Sequence, residues 1–173
     1  MGQEQFLRGK TYMTDRIHKL TLRAMLVALA FVLSWLEAQI PTFIAVPGVK
    51  LGLTNLVVLL ALYKLGWKDA LAINFVRIVL AGLTFGSVAS MWYALAGGIL
   101  SGIGMILVKN LMKARIVVVS IVGGLLHNLG QLLVAVFILD SLSLFYYLVI
   151  LWLVGSFSGS LIGVISGLIV DRV

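Results

Sequence analysis

The stretch DALAINFVRIVLAGLTFGS, from Asp69 to Ser87, is the most informative part of this chain. It is apolar enough to cross a bilayer, yet Arg77 lies near its middle and Asn74 lies one turn earlier. An arginine at the centre of a membrane helix costs about 2.5–3.5 kcal/mol on insertion scales. Such a residue usually faces a protein-lined cavity or a partner. We therefore expect Arg77 to face a small polar pocket that the other helices complete. The alternative is a structural role, in which Arg77 forms a buried pair with Glu37 or caps a backbone carbonyl.

The composition around this stretch indicates the class of protein. Hydrophobic residues make up 62% of the chain and charged residues 11%, whereas soluble domains have about 45–50% apolar and about 25% charged residues. The 173 residues leave room for six spans of about 20 residues with short connections. We expect an all-α integral membrane protein with six transmembrane helices. The absence of cysteine excludes disulfides and thiol catalysis.

Six apolar segments can serve as these spans. Residues 20–173 then form one membrane domain. Residues 1–19 form a basic cytoplasmic arm that is either partly disordered or lies along the membrane surface as an amphipathic helix. The second and third segments are short and require tilt or an irregular outer end. The expected spans are residues 20–40, 51–66, 69–86, 88–108, 116–139 and 143–170.

The net charge of +7 follows the expected topology and does not indicate a nucleic-acid partner. With the N-terminus inside, all of the 13 basic residues except Lys50 and Arg77 fall in cytoplasmic segments. Short loops with this bias set the orientation by the positive-inside rule. We expect both termini in the cytoplasm and a multi-pass protein of the bacterial plasma membrane.

The connection between the first two spans contains both prolines of the chain, Pro41 and Pro47. Because proline interrupts helices, we expect this loop to dip toward the membrane as a lid or a plug. Lys50 follows, and it either reaches the aqueous surface or contacts an anion. Glu37, one turn before Pro41, is either an interfacial carboxylate or part of the outer mouth of the pocket.

A second polar cluster lies in the fifth span, within GGLLHNLGQLL. His127 and Gln131 are four residues apart and share a helix face, with Asn128 beside them. Such side chains are costly in a membrane without partners, so they either bond neighbouring helices or bind a ligand. The basic residues favour an anionic or zwitterionic ligand, and Trp92 suits stacking on a ring. The expected pocket residues are Glu37, Lys50, Asn55, Asn74, Arg77, Trp92, His127, Asn128 and Gln131.

Small residues at fourfold spacing indicate close helix packing in two places. In the first span, the spacing of Ala24 and Ala28 permits close approach of another helix, either inside the bundle or on a partner. In the sixth span, a longer ladder predicts close packing against another helix, either inside the bundle or on a partner. The ladder consists of Gly155, Gly159, Gly163 and Gly167.

Several catalytic motifs are absent from the sequence. It contains no G-x-x-x-x-G-K-[ST] motif for ATP and no clustered aspartates for a magnesium–diphosphate site. One intramembrane histidine cannot supply bis-histidine haem ligation. We expect no catalytic site and no metal site, and a binder or carrier that draws its energy from elsewhere.

Three segments resemble a known family. PGVKLGLTNLVVLLALY at 47–63, RIVLAGLTFGS at 77–87 and HNLGQLLVA at 127–135 look like the Gx-transporter family, often labelled heptaprenyl diphosphate synthase component I. The resemblance covers roughly residues 20–170. That family is similar in turn to the S components of energy-coupling factor (ECF) transporters, six-helix proteins that capture vitamins from outside. The resemblance implies such a bundle, with Ala24 and Ala28 as an A-x-x-x-A docking motif.

Two hypotheses of function follow from the pocket and the resemblance. The first is a substrate-binding subunit of an ECF-type importer for a small vitamin-like or cofactor-precursor ligand, with a coupling protein and ATPases as partners. The alternative is a non-catalytic membrane subunit of a flavin or quinone electron-transfer complex, or of a prenyl-diphosphate synthesis complex. The sequence lacks a D-G-x-[ST]-[GA]-T-like motif for covalent flavin. A flavin, quinone or vitamin would therefore bind non-covalently.

Overall fold

The computed structural model describes residues 2–40 and 52–172, with side chains from Met13 onward. Within these residues the regular secondary structure is helical, which confirms the all-α class. The elements in chain order are α1 Gly2–Gln39, α2 Asn55–Lys64, α3 Trp67–Thr84, α4 Val88–Leu111, α5 Ile116–Leu139, a 3-10 helix Leu142–Tyr147 and α6 Leu148–Val170.

Four helical segments are long and apolar enough to cross a membrane, which supports a multi-pass membrane protein. They are Met13–Gln39, Val88–Leu111, Ile116–Leu139 and Leu142–Val170. The other two helices differ from them for simple reasons. α2 has only 10 residues, and α3 carries Lys68, Asp69 and Arg77 within its 18 residues.

Helix α1 runs without a break from the expected arm into the first span. Its 38 residues rise about 57 Å at 1.5 Å per residue, while the hydrocarbon core of a bilayer is about 30 Å thick. Arg23 pairs with Asp69 at the start of α3, so the excess length lies toward the N-terminus of α1. The exposed side chains of Met13, Ile17 and Leu20 belong to this extension.

Helix α2 lies in the centre of the bundle. Its residues from Val57 to Leu62 are all buried, and it contacts α1, α3, α5 and α6. Because other helices surround α2, it can carry hydrophobic residues on all of its sides. A tight turn at Gly66, whose φ is +104°, leads into α3, and glycine adopts this left-handed conformation without the strain of a side chain.

Helix α5 packs closely between α4 and α6. The glycine ladder of α6 faces α5, because a Cβ atom added at Gly155, Gly159 or Gly163 would lie 2.7–2.9 Å from atoms of α5. At Gly167 the added atom would lie 3.2 Å from the Ile116 side chain. The backbones of α5 and α6 therefore approach each other most closely along the first three glycines.

Many of the basic residues lie at one end of the bundle, which we call the basic end. Two contacts connect helices there. Arg23 Nη2 lies 2.9 Å from Asp69 Oδ2 and joins α1 to α3. Lys109 Nζ donates a hydrogen bond to the Leu62 carbonyl at 2.6 Å and lies 4.4 Å from the centroid of the Tyr63 ring. A cation is favourable at the last carbonyls of a helix, so Lys109 stabilises the end of α2.

Candidate functional site

Two of the buried polar side chains, those of Arg77 and His127, lie near the middle of their helices, α3 and α5. Arg77 is about 15 Å along α3 from Trp67, and His127 is about 16 Å along α5 from Ile116, at 1.5 Å per residue. Both distances are close to half the thickness of a bilayer core. The buried polar residues of α1, α2, α3 and α5 in the part with described side chains are Ser34, Glu37, Asn55, Asn74, Arg77, Ser120, His127, Asn128 and Gln131.

Two neutral side chains hold the guanidinium of Arg77, which is only 7% exposed. Its Nε and Nη2 donate to Asn74 Oδ1 at 3.2 Å and 2.9 Å. Its Nη1 lies 3.5 Å from Ser34 Oγ. Among the residues that the structure describes, no carboxylate lies within an ion-pair distance of 4.0 Å from Arg77. The charge is therefore positioned without being neutralised by direct contact.

The carboxylate of Glu37 holds the chain where it enters α2. It accepts hydrogen bonds from the backbone N–H of Gly52 and, at 3.3 Å, of Leu53. The N–H of Asn55, the first residue of α2, in turn donates to the Gly52 carbonyl at 2.8 Å. Negative charge is favourable beside a helix N-terminus. Glu37 also interacts electrostatically with Arg77.

Beside these groups lies a cavity between α1, α3 and α4, which we call the Arg77 cavity. Its volume of about 30 Å³ is room for about two water molecules. Charged groups, hydroxyl groups and apolar side chains all line it. Its principal lining residues are Ser34, Glu37, Arg77, Phe85, Ser90 and Met91.

A second cavity, which we call the His127 cavity, lies between α2, α5 and α6. Its volume of about 10 Å³ holds about one water molecule. Asn128 Nδ2 donates to the Leu151 carbonyl at 2.9 Å and joins α5 to α6 here. The two cavities share no lining residue. The principal lining residues of the His127 cavity are Asn55, Ser120, His127, Asn128, Ser158 and Ile162.

Two of the expected pocket residues pack against glycines of α4. A Cβ atom at Gly98 would lie 2.6 Å from Asn74 Nδ2, and one at Gly97 would lie 3.1 Å from Gln131 Cγ. These neighbouring glycines make room for both amide side chains. Among the described residues, Asn74 and Gln131 line neither the Arg77 cavity nor the His127 cavity.

The remaining expected site residues lie elsewhere. Trp92 is 61% exposed and lines neither cavity, while its neighbour Tyr93 is buried in an apolar cluster with Leu132 and Leu151. Lys50 and the proline loop lie outside the described residues.

Sequence reasoning missed Ser34, Ser90 and Met91. A signal for Ser34 exists, because the buried face of α1 repeats at helical spacing through Leu26, Ala30, Ser34 and Glu37. For Ser90 and Met91 we find no such signal, since their place depends on how α4 crosses α3.

The opposite face of α1 carries the small-residue motif. Ala24 and Ala28 are exposed, and farther along the helix Val32 is 49% and Trp35 48% exposed. Packing within this chain therefore does not explain the two alanines in the part that the structure describes.

In the part of the chain that the structure describes, the geometry defines an all-helical, multi-pass membrane protein with small polar cavities between its helices. The chain belongs to the heptaprenyl diphosphate synthase component I family, whose sequence pattern matches residues 26–169. The match includes the described residues of both cavities, and it confirms the family resemblance of the three segments. No curated protein and no solved structure matches the chain.

Proposed function

We propose that the protein is the substrate-binding membrane subunit of an ECF-type importer and captures a small vitamin-like or cofactor-precursor ligand from outside. The observation that carries the proposal is the Arg77 cavity, where a buried guanidinium faces no directly paired carboxylate among the described residues. Intramembrane charges of this kind usually serve a ligand or a transport path. A few convergent polar groups on an apolar wall are the common form of a small-molecule site.

In this proposal α2 and α3 also cross the membrane, so that the bundle has six spans. The basic end faces the cytoplasm by the positive-inside rule, which places both termini inside and the protein in the cell membrane. The burial of α2 among four helices supports this arrangement. A helix with no lipid-facing side need not match the full thickness of the bilayer.

The exposed alanines of α1 are the proposed docking surface for the transmembrane coupling protein, which works with ATPases. Small residues let a partner helix approach closely in a membrane. Ala24 and Ala28 are exposed, in contrast to Ala30, which is 0% exposed on the inner face. The exposure of both alanines supports docking over packing inside the bundle.

A vitamin-sized ligand requires the Arg77 cavity to widen, because its present volume holds about two water molecules. Movement of the Met91 side chain would widen the cavity. A Cβ atom at Gly82 would lie 2.0 Å from Met91 Cγ, so the Met91 side chain fills the space over Gly82. Methionine is unbranched and changes rotamer readily.

The second candidate function is a non-catalytic membrane subunit of a prenyl-diphosphate synthesis complex or a flavin or quinone electron-transfer complex. Family membership favours it, since the family carries the name of a prenyl diphosphate synthase component. Among the described residues, no group of three or more His, Cys, Asp or Glu side chains could hold a metal ion. In this role the chain would therefore support a separate enzyme.

Native mass spectrometry of the gently purified protein distinguishes the importer from the second candidate function. We compare the wild type with Arg77→Gln and with Arg115→Gln, a matched control at an exposed arginine. The importer proposal predicts a co-purified small molecule in the wild type and the control that is lost from Arg77→Gln. An empty wild-type protein that captures a prenyl synthase or redox proteins would overturn the importer and favour the second candidate.

A further inference from the structure

We propose that the Arg77 cavity binds a small monocarboxylic acid with an apolar or aromatic body, and that Arg77 holds its carboxylate end-on through Nη1 and Nη2. The inference rests on the proposed function and names the ligand class of that same site. It follows from the hydrogen bonds of the guanidinium, the walls of the cavity and the charge of Glu37.

The guanidinium presents five N–H donors in one plane. Its side edge is occupied, because Nε and Nη2 both donate to Asn74 Oδ1. Ser34 Oγ, at 3.5 Å, accepts at most one N–H of Nη1. Each terminal nitrogen therefore keeps at least one N–H with no acceptor among the described residues. At the end of a guanidinium, one N–H of Nη1 and one N–H of Nη2 are parallel, and such a pair of donors fits the two oxygens of a carboxylate.

The cavity is also lined by apolar side chains, among them Phe85 and Met91. The ring of Phe85 packs against that of Phe31, with centroids 5.5 Å apart, so it forms a fixed surface. Met91 is the adaptable part of the wall, since it lies over Gly82. A ligand with its carboxylate on Arg77 would place its body between these two side chains.

Glu37 limits the charge that the cavity can accept. The carboxylate of Glu37 and the guanidinium of Arg77 line the same cavity, so the two formal charges sum to zero before a ligand enters. A monocarboxylate adds one negative charge, whereas a phosphate dianion adds two. Charge repulsion is strong where water is excluded, so the cavity favours the monoanion.

Thermal unfolding of the full-length protein in detergent tests the ligand class with matched acids and amides. The probes are acetate, benzoate and 1-naphthoate, each beside its neutral amide, and inorganic phosphate, all at equal ionic strength. We expect at least one acid to raise the Tm of the wild type and of Arg115→Gln, while its amide and phosphate do not. In Arg77→Gln and Arg77→Lys the apparent affinity should fall at least tenfold, since lysine keeps the charge but cannot present two parallel donors.

Met91→Ala is the second variant, and it leaves the guanidinium and its hydrogen bonds in place. Removal of the Met91 side chain enlarges the cavity, so the preference should shift severalfold toward 1-naphthoate over acetate. This variant keeps the test valid if the Arg77 variants fail to fold.

The assignment is overturned if an amide or phosphate stabilises the protein as much as the acids do, or if Arg77→Lys binds the acid like the wild type. It is also overturned if no acid raises the Tm of either the wild type or Met91→Ala. The importer proposal has separate readouts, namely the co-purified ligand and the captured partner. A neutral co-purified ligand that is lost from Arg77→Gln would overturn the carboxylate assignment and leave the importer proposal in place.

Discussion

Arg77 depends on an amide of its own helix for its orientation. Asn74 lies three residues earlier on α3 and accepts from both Nε and Nη2. A neighbour at this spacing is set by the helix itself, so the guanidinium is oriented before any other helix contributes. Ser34, from α1, adds a longer contact. The orientation of the guanidinium thus combines a local pair with one group from another helix.

Local residue relationships were accessible from the sequence, whereas contacts between helices were not. The shared face of Asn74 and Arg77 follows from helical spacing, and the structure shows the two side chains in contact. The bonds from Gly52 and Leu53 to Glu37 join residues fifteen or more positions apart in the chain. Such contacts depend on how α1 and α2 cross, which periodicity does not specify.

Lys109→Met should lower the free energy of unfolding by about 1–2 kcal/mol. The change removes a charge-assisted hydrogen bond to the Leu62 carbonyl and a cation–π contact with Tyr63. Lys64→Met is the matched control, because Lys64 is an exposed lysine of the same basic end. Unfolding in detergent measures both, and equal loss in the two variants would contradict a specific role for Lys109.

At the scale of the helices, glycines of one ladder differ in how closely they approach the neighbouring helix. Gly159 brings α6 against the backbone of α5, since an added Cβ would lie 2.8 Å from the Ile121 Cα. At Gly167 the nearest atom is a side-chain methyl group of Ile116. The two positions look identical in the sequence ladder, and only the structure distinguishes them.

Gly159→Ala should therefore destabilise the protein by at least about 1 kcal/mol more than Gly167→Ala. Both changes gain the same helix propensity, so the difference reports the overpacking of α6 against α5, which typically costs about 1–3 kcal/mol. Comparison of the two unfolding midpoints checks the prediction. A smaller loss at Gly159 would show that the helices can move apart easily.

Ala24→Leu combined with Ala28→Leu should leave the unfolding midpoint nearly unchanged and reduce capture of a coupling protein at least tenfold. Both alanines are exposed, so larger side chains meet a partner and not the bundle. Ala89→Leu, at an exposed position of α4, controls for added apolar surface. Ala30→Leu, at a fully buried position, should strongly destabilise the protein. Undiminished capture by the double variant would contradict docking at this face.

For the whole molecule, the absence of cysteine allows each introduced thiol to be labelled without background. An impermeant maleimide should label cysteines at the outer positions in intact cells and those at the inner positions only after permeabilisation. Lys64→Cys decides between six spans and four, since outside labelling there would mean that α2 and α3 do not cross. The outer positions are Ile40, Val88 and Ser143, and the inner positions are Lys64, Leu111 and Asp171.

Composition and hydropathy were enough to predict an all-helical membrane bundle, because lipid requires every backbone group to be bonded within the segment. They located the four long apolar spans, but the short helix α2 and the charged helix α3 were harder to place. The charges of α3 and the shortness of α2 weaken the hydropathy signal where the polar cavities lie. The region of greatest functional interest is thus the region that hydropathy describes least well.

Helix α1 carries the alanines of the proposed docking surface on one side and the cavity residues Ser34 and Glu37 on the other. From Met13 to Gln39 it contains neither glycine nor proline, the usual causes of a kink, so it behaves as one rigid rod. Ala28 and Glu37 are about 14 Å apart along this rod at 1.5 Å per residue. A partner that rotates this rod about its axis would therefore move Glu37 away from the start of α2 and Ser34 away from Arg77 in a single movement. Torque applied at the exposed alanines of α1 would then release the ligand from the cavity.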